Sequence, residues 1–307
     1  MPRALKTTSQ RRKMPFLKGR YAQSQTIPKS EESDPSVSSE NTHFSHDSSY
    51  LHNPFIKIEY SPPPALTTKR KNLKKKKKRY VWLVCSALLL ACIGAWFIAK
   101  SRTFQLFGEL VYRLNTSQKV VALTFDDGPH PAYTKPILSL LDKHNVKATF
   151  FVTGKSAKTY QEALKSIVRH GHAVGNHSFS HKRMVLKSPS FVRYEISETD
   201  KAIRAAGYKG PIDFRPPYGK KLFVLPWLLY RQKKRTIMWD IEPETYAAVS
   251  RSSEKIVEHI LKRLRPGSII LLHVMMPSRR ASRAALPKLI TRIKERGYRF
   301  VTLQPPL

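Results

Sequence analysis

The sequence predicts an α/β fold, a (β/α) barrel of about seven parallel strands, preceded by a disordered tail and one transmembrane helix. Three observations support this prediction. Segments typical of strands and of helices alternate over residues 117–307, which indicates a parallel sheet. A run of twenty uncharged residues precedes this region. The chain ahead of that run has few large apolar residues.

Composition divides the chain into four segments. Residues 1–79 are rich in Ser, Pro and Lys and have too little apolar surface to offset the entropy of ordering, which predicts a disordered basic tail. Residues 80–99 contain no charge, and a helix of that length spans a hydrocarbon core of about 30 Å. Residues 100–116 are predicted to be a linker, and residues 117–307 a single folded domain.

The charge distribution predicts the orientation of the apolar helix. The net charge is +35, and a basic cluster over residues 69–79 stands directly before the apolar run. Such a cluster places the N-terminus in the cytoplasm and the folded domain in a periplasm or outside the cell. A cleaved signal peptide, or lipoprotein processing at Cys92, is the alternative, and the long leader disfavours both. The lipid bilayer is therefore an expected partner. Nucleic acid is not, because no nucleic-acid-binding motif is present.

Seven segments have the composition of buried strands. The first is a nearly continuous run of apolar residues, as expected for a strand covered on both faces. Shorter apolar runs of the same kind follow along the chain. The predicted strands are residues 119–125, 148–152, 173–175, 212–214, 236–241, 268–272 and 300–303.

Helices are predicted between these strands. The first has Pro136 in its predicted first turn and apolar residues at helical spacing. Another follows Ser188, which can cap it, with Pro189 at its first position and Gly207 after its end. The predicted helices are residues 133–144, 156–169, 189–206, 252–264 and 286–295.

Unusual polar residues follow the predicted strands. In (β/α) barrels the functional side chains lie at the carboxyl ends of the strands, so these residues are expected to meet in one site. They are Asp126 and Asp127 after the first strand, His177 and His181 after the third, Arg215 after the fourth, Glu242 after the fifth and His273 after the sixth.

Each of these features has a structural alternative. Asp126 and Asp127 are expected to point in different directions, so that one can bind a metal while the other faces a substrate; a plain capped turn is the alternative. His177 and His181, if they lie on one turn of helix, can bind one divalent metal, or they are ordinary surface residues. His273 ends an apolar strand and suits a general acid, or it is a satisfied core residue.

Four short motifs contain these polar residues. They are Thr124-Phe125-Asp126-Asp127-Gly128-Pro129, His177-Ser178-Phe179-Ser180-His181, Arg215-Pro216-Pro217-Tyr218-Gly219 and Leu271-Leu272-His273. In this order they resemble the polysaccharide deacetylase family, which is carbohydrate esterase family 4 with its chitooligosaccharide-deacetylase homology domain. The resemblance covers about residues 120–303 and implies a distorted (β/α) barrel and a catalytic domain at residues 117–307.

The resemblance also implies a role for each site residue. Asp127, His177 and His181 would hold a divalent metal, with Zn²⁺ first and Co²⁺ or another divalent ion as alternatives. Asp126 would be the general base, with Arg215 as its partner. The Tyr218 backbone N–H would donate to the oxyanion, and His273 would be the general acid. The substrate would be bound by Leu271, Trp239, Tyr246 and Pro217, with Leu271 against the acyl methyl group.

The fourth motif departs from the family pattern Asp-x-x-Asp-Trp. Here the stretch is Glu242-Pro243-Glu244-Thr245-Tyr246, so the second Asp, which would orient His273, is missing. Glu244, Glu242 or Asp240 can take over this task. Glu242 is favoured, since it aligns with the first family Asp and directly follows a predicted strand.

The expected function is metal-dependent removal of N-acetyl groups from amino sugars of an envelope or extracellular glycan, whether peptidoglycan, a chitin-like polymer or an exopolysaccharide. Three alternatives stay open. One is a catalytically silent, membrane-anchored glycan-binding barrel, and the second is a deacylase for a different acyl or O-acetyl substrate. The third is a scaffold whose charge binds a membrane surface or nucleic acid.

Overall fold

The computed structural model describes residues 59–61 and 67–303, with side chains of the first helix from Asn72 onward. The chain forms two units, Met1–Pro64 and Ala65–Leu307. Of the first unit only residues 59–61 are described, and they form neither helix nor strand. All described helices and strands belong to the second unit. The predicted disorder of residues 1–58 and 62–66 lies outside the described residues.

The first element is helix α1, Thr67–Lys100. Its part from Asn72 to Lys100 is long and apolar enough to cross a membrane. The helix begins ahead of Tyr80, so residues 67–79, predicted to belong to the disordered tail, are helical. Lysine is a good helix former, and a run of lysines can therefore continue the apolar helix. At the other end, Lys221 donates a backbone hydrogen bond of 3.0 Å to the carbonyl of Ala99.

The central sheet is parallel throughout, as predicted. Its strand order is β4-β3-β2-β6, and β7 pairs with the first residues of β2. A separate parallel pair joins β1 and β5. The strands are β1 Leu110–Val111, β2 Val120–Gly128, β3 Thr149–Val152, β4 Ala173–Asn176, β5 Thr236–Ile237, β6 Ser268–Leu272 and β7 Arg299–Val301.

Continuous ladders do not close the predicted barrel within the described residues. The remaining neighbours around the barrel are joined by single bridges, from Asn176 to Phe214, from Phe214 to Thr236 and from Ile241 to Ile270. The strand predicted at residues 212–214 is reduced to one bridging residue, because the prolines on either side of it lack the N–H that a ladder needs. The strand predicted at residues 236–241 is regular only over β5.

Eight helices lie outside α1 in the described part of the second unit. The helix predicted over residues 156–169 is two helices, because the backbone leaves the helical region at Tyr160 (φ −118°, ψ 51°). The prediction that Ser188 caps a helix is confirmed, since its hydroxyl accepts from the Phe191 N–H. The helices are α2 Pro131–Lys143, α3 Gly154–Thr159, α4 Gln161–Arg169, α5 Pro189–Ala205, α6 Val224–Arg231, α7 Ala247–Ser250, α8 Ser253–Arg263 and α9 Arg280–Glu295.

Strand β2 is covered on both faces, as its apolar sequence predicts. Leu123 and Phe125 face a large core formed with the surrounding helices, whereas Ala122 faces a smaller core that contains Trp239 and Leu271. Alternate residues of a strand point to opposite faces, so both cores fix the same strand. The carboxyl end of β2 is thereby held at the edge where the polar residues collect.

Gly267 gives a test of the close packing ahead of β6. Its φ is +79°, and a Cβ there would lie 2.2 Å from the Leu114 carbonyl oxygen. Gly207 has a similar φ of +88° but nothing within 4 Å of a Cβ. We expect Gly207→Ala to cost about 1–3 kcal/mol through backbone strain, and Gly267→Ala to cost a further ~1–3 kcal/mol through the clash.

The measurement is thermal unfolding of the detergent-solubilised chain. Gly267→Ala is expected to melt well below Gly207→Ala. Equal melting temperatures would show that the segment around Leu114 moves away without cost.

Candidate active site

The polar residues at the strand ends meet in one cleft of about 910 Å³. Asp126 and Asp127 come from the end of β2, His177 from the end of β4 and His273 from the end of β6. The carboxyl ends of parallel strands share one edge, which explains this convergence. Of the site residues predicted from the sequence, those that line the cleft are Asp126, Asp127, His177, His181, Tyr218, Trp239, Glu242, Glu244, Leu271 and His273.

A bulge separates the two adjacent carboxylates. The register between β2 and β3 shifts between Asp126 and Gly128, and Asp127 has a positive φ of 69°. A bulge inserts one residue into a strand and redirects its side chain. Both carboxylates lie 3.5 Å from His177 Nε2, but only Asp126 contacts Arg215 and only Asp127 contacts His181. The two side chains thus share one neighbour and differ in the other.

Asp127, His177 and His181 form a compact trio of metal-ligand type. One donor atom from each lies within 4.8 Å of the others. Asp127 Oδ1 is 3.5 Å from His177 Nε2 and 3.2 Å from His181 Nε2. That oxygen is buried and has no hydrogen-bond partner. A buried carboxylate oxygen beside two imidazole nitrogens fits a divalent metal such as Zn²⁺.

The other ring nitrogen of His177 fixes its tautomer. Nδ1 lies 2.8 Å from the Arg215 carbonyl oxygen, which can only accept, so Nδ1 carries the proton. The lone pair of Nε2 then faces the trio. Such an outer hydrogen bond is the usual way in which a ligating histidine is oriented.

The segment that carries the two histidines is a loop, so the expected helical turn is wrong. Ser178 and His181 have positive φ values of 64° and 56°. The loop is held by a carboxylate that the sequence analysis missed: buried Glu195 of α5 accepts from the N–H groups of Phe179 at 2.9 Å and Ser180 at 2.8 Å. A carboxylate among the apolar positions of a helix is the sequence signal that could have identified it.

Asp126 is paired with Arg215 below the floor of the cleft. Both side chains are almost fully buried, and Arg215 Nη1 donates to Asp126 Oδ1 at 2.8 Å. The same nitrogen donates to Thr124 Oγ1 at 2.8 Å, and Nη2 donates to the Met238 carbonyl at 3.1 Å. The guanidinium also lies 4.0 Å from the centre of the Phe151 ring. These contacts hold one Asp126 oxygen and leave Oδ2 toward the cleft.

His273 is held by Glu244, which corrects the preference for Glu242. Glu244 Oε2 contacts His273 Nδ1 through a very short hydrogen bond, and it accepts from the His273 N–H at 3.0 Å. Glu242 instead accepts from Trp239 Nε1 at 2.8 Å, and Asp240 accepts from Ser268 Oγ at 3.0 Å.

The physical reason is a short turn in the fourth motif. Pro243–Thr245 forms one turn of 3₁₀ helix, which carries Glu244 into the interior. There Ser282 of α9 also donates to its carboxylate. The third residue after the predicted strand, Glu244, rather than the first, Glu242, therefore reaches His273.

The surroundings shift the pKa values of Asp126 and His273 in opposite directions. Burial alone would raise the pKa of Asp126, but the positive charge of Arg215 beside it outweighs burial and lowers the pKa below its usual range. Burial lowers the pKa of His273, but the hydrogen bond to Glu244 and nearby carboxylates outweigh burial and raise the pKa to about 9. At neutral pH the site thus holds an ionised carboxylate and a protonated imidazole.

Two predicted substrate-binding residues lie outside the lining of the cleft. Tyr246 packs against His259, with 4.8 Å between ring centres, and against Arg263. Pro217 is buried, and Pro216 lines the cleft in its place. Both corrections follow from the short turns that contain these residues. Tyr218 is half exposed, with a positive φ of 58°, and its ring lies 4.7 Å from that of His181.

The sequence of the domain matches that of known deacetylases. The profile of the polysaccharide deacetylase family matches residues 113–228. A peptidoglycan-N-acetylglucosamine deacetylase of Bacillus cereus is 39% identical over 186 residues, which are 60% of this chain and 66% of that protein. A chitooligosaccharide deacetylase of Azorhizobium caulinodans is 32% identical over 205 residues, which are 63% of this chain and 95% of that protein. The chain thus spans just under two thirds of the first relative and nearly all of the second.

A solved structure has the same fold. The crystal structure of the Bc1960 peptidoglycan N-acetylglucosamine deacetylase is 34% identical and superposes with a TM-score of 0.59 over 62% of this chain and 89% of that one. The chain belongs to the polysaccharide deacetylase family, carbohydrate esterase family 4, whose members hydrolyse N-acetyl amide bonds of glycans.

Proposed function

We propose that this chain is a membrane-anchored, metal-dependent deacetylase that removes N-acetyl groups from amino sugars of an envelope or extracellular glycan. The observation that carries the proposal is the meeting of three sets of groups in one cleft. These are the Asp127–His177–His181 trio, the Asp126–Arg215 pair and the His273–Glu244 pair. The names of the relatives, which refer to peptidoglycan and chitooligosaccharides, support the substrate class.

The trio would hold the metal ion. A divalent ion bound there would polarise the acyl carbonyl and activate water, and Zn²⁺ is the first candidate because of its preference for imidazole and carboxylate ligands. Three protein ligands leave positions open for substrate and water, as in catalytic rather than structural sites.

Asp126 acts as the general base. Its Oδ1 is engaged by Arg215, so Oδ2 is the atom that takes a proton from the attacking water. Oδ2 lies 3.5 Å from His177 Nε2, next to the proposed metal position. Arg215 keeps the carboxylate ionised and fixed in orientation. The water oxygen forms a bond to the acetyl carbon as this proton leaves.

His273 acts as the general acid. Its Nδ1 is held by Glu244, and its Nε2 lies 4.0 Å from Asp127 Oδ2 at the opposite side of the trio. Nε2 donates its proton to the sugar nitrogen as the C–N bond breaks, which gives acetate and a free amine. A histidine that stays protonated at neutral pH has the proton that this step needs.

The remaining residues orient the substrate. The Tyr218 N–H would donate to the oxyanion that forms on the acetyl carbonyl. Leu271 lines the floor of the cleft and offers an apolar contact to the acetyl methyl group. Trp239 offers a ring face for the sugar, and its indole N–H is held by Glu242.

Anchoring would be provided by α1. Its apolar part is long enough to span a bilayer, and Trp96 and Phe97 near its end are exposed, as aromatic residues at a membrane interface would be. The basic residues before the span favour a cytoplasmic N-terminus and an external catalytic domain.

The first test is acetate release from acetylated amino-sugar oligomers, together with metal content after dialysis. We expect Asp126→Asn to keep the metal and to lose roughly 10²–10⁴-fold in turnover, because only the base is removed. Asp127→Asn is expected to lose both the bound metal and turnover. Metal retention also shows that the Asp126→Asn protein is folded.

Asp142→Asn is the control, because Asp142 contacts His170 at 3.4 Å in another carboxylate–imidazole pair outside the cleft. If Asp127→Asn kept the metal while Asp126→Asn lost it, the two roles would be reversed. No acetate release from any glycan would contradict the function itself.

The second test is the pH–rate profile of Glu244→Gln. Glu244 raises the pKa of His273, so the acid is present at low pH and is lost as the pH rises through that pKa. Removing the charge lowers this pKa, and the alkaline limb should move to lower pH by roughly 1–3 pH units. The acidic limb, which reports Asp126, should move much less.

Glu242→Gln is the matched control, since it removes the same charge from a carboxylate that contacts Trp239 rather than His273. An alkaline limb that moves in Glu242→Gln and stays fixed in Glu244→Gln would contradict the assignment of Glu244.

The third test is the membrane topology. A phosphatase reporter that is active only outside the cytoplasm, fused after Leu307, should be active, because the basic cluster keeps the N-terminus inside. A fluorescent reporter that folds only in the cytoplasm serves as the converse fusion. Activity of the converse fusion alone would refute the topology, and a mature N-terminus at Cys92 would favour a lipoprotein.

A further inference from the structure

Three cations gather beside the cleft without a counter-charge. Lys100 and Lys220 both lie over the Trp96 ring, with their Nζ atoms 5.3 Å and 5.5 Å from its centre. Arg183 lies over the Tyr218 ring at 5.2 Å. Burial lowers the pKa of Lys220, and the charges of Lys100 and Arg183 lower it further, which is a sign of their proximity. We call Lys100, Lys220 and Arg183 the basic rim.

Within the described residues, none of the three cations has a carboxylate within 4.0 Å, whereas Arg102, which lines the same cleft, lies 3.9 Å from Glu242. Four carboxylates line the cleft, and each lies beside groups other than these three cations. Asp126 is held by Arg215, Glu244 by His273, Glu242 by Trp239 and Arg102, and Asp127 lies beside the two histidines of the trio. Neighbouring cations repel each other, so a surface that collects them without partners attracts an anion.

The basic rim is continuous with the catalytic groups. Lys100 and Lys220 line the same cleft as the trio. The Tyr218 ring contacts both Arg183, at 5.2 Å, and His181, with 4.7 Å between ring centres. An anion held by the rim is therefore close to a sugar whose acetyl group reaches the trio.

We propose that the basic rim binds an anionic group, a phosphate or a carboxylate, that is carried by the glycan substrate near the sugar that is deacetylated. The inference rests on the proposed function and deepens it, since it restricts the substrate to an acidic glycan. The glycan is favoured over a lipid headgroup as the source of the anion, because Lys100 and Lys220 line the same cleft as the trio. A lipid headgroup would need to contact only the part of Lys100 that faces away from the cleft.

The experiment uses the full chain, loaded with Zn²⁺, in nanodiscs of neutral phosphatidylcholine. Two glycans are compared: N-acetylglucosamine tetrasaccharide and the same oligomer bearing one phosphate monoester. The readout is the ratio of kcat/KM for the phosphorylated over the neutral glycan on the same protein, so that any general loss of activity cancels. We expect a ratio of roughly ten at low salt that falls as salt is added, since exposed charge interactions are screened.

The double variant Lys220→Gln/Arg183→Gln should bring the ratio close to one. The control is Arg169→Gln/Lys209→Gln, which removes the same number of charges from exposed residues that do not line the cleft and should keep the ratio. A ratio of one in the unchanged protein, or a ratio that the Lys220/Arg183 variant does not alter, would overturn the proposal.

A second arm repeats the assay in nanodiscs that contain phosphatidylglycerol. If the double variant changes activity only in these discs, and the glycan ratio is one in neutral discs, the rim binds lipid headgroups and the proposal fails. If neither glycan is deacetylated by the unchanged protein, the proposed function fails instead, so the two failures are distinguishable.

Discussion

The buried contact between Asp126 and Arg215 connects every part of the candidate site. Asp126 ends the central strand, while Arg215 follows the Phe214 bridge on the far side of the sheet and reaches across to it. Arg215 also uses its backbone carbonyl to orient His177 and its guanidinium to hold Thr124. Breaking a buried pair of this kind costs roughly 3–5 kcal/mol, because one charge is left without a partner. The proposed base and one proposed metal ligand therefore depend on one residue, the first through its guanidinium and the second through its carbonyl.

Backbone strain collects around this pair. Of the seven described non-glycine residues with positive φ, four lie in the site: Asp127, Ser178, His181 and Tyr218. Each such residue costs of order 1–3 kcal/mol and persists only where surrounding contacts determine it. Here those contacts include the bulge in β2 and the hydrogen bonds that the Phe179 and Ser180 N–H groups donate to Glu195. Three of the four, Asp127, His181 and Tyr218, are residues to which the proposed function gives a role in binding metal or oxyanion.

The sequence predicted the features that depend on hydrophobic periodicity and on the order of strands along the chain. It missed the features that depend on the local backbone geometry of turns and loops. Polar residues after apolar strands had to meet, because parallel strands share an edge, and Asp126, Asp127, His177 and His273 do so. The choice of Glu244 over Glu242 depends on one turn of 3₁₀ helix, which no spacing rule specifies. Likewise, a histidine pair four residues apart suits a helix, yet Ser178 and His181 adopt a conformation that their residue types rarely do.

The hydrogen bonds of Lys221 have a mechanical consequence. This fully buried lysine directly follows the Tyr218 loop and binds the carbonyls of Ala99 and Ser101, where α1 ends. In a chain anchored by α1, the catalytic cleft is thus not suspended on a flexible tether. Its distance from the bilayer would then depend on the contacts of one buried lysine at the end of α1 rather than on the length of a linker.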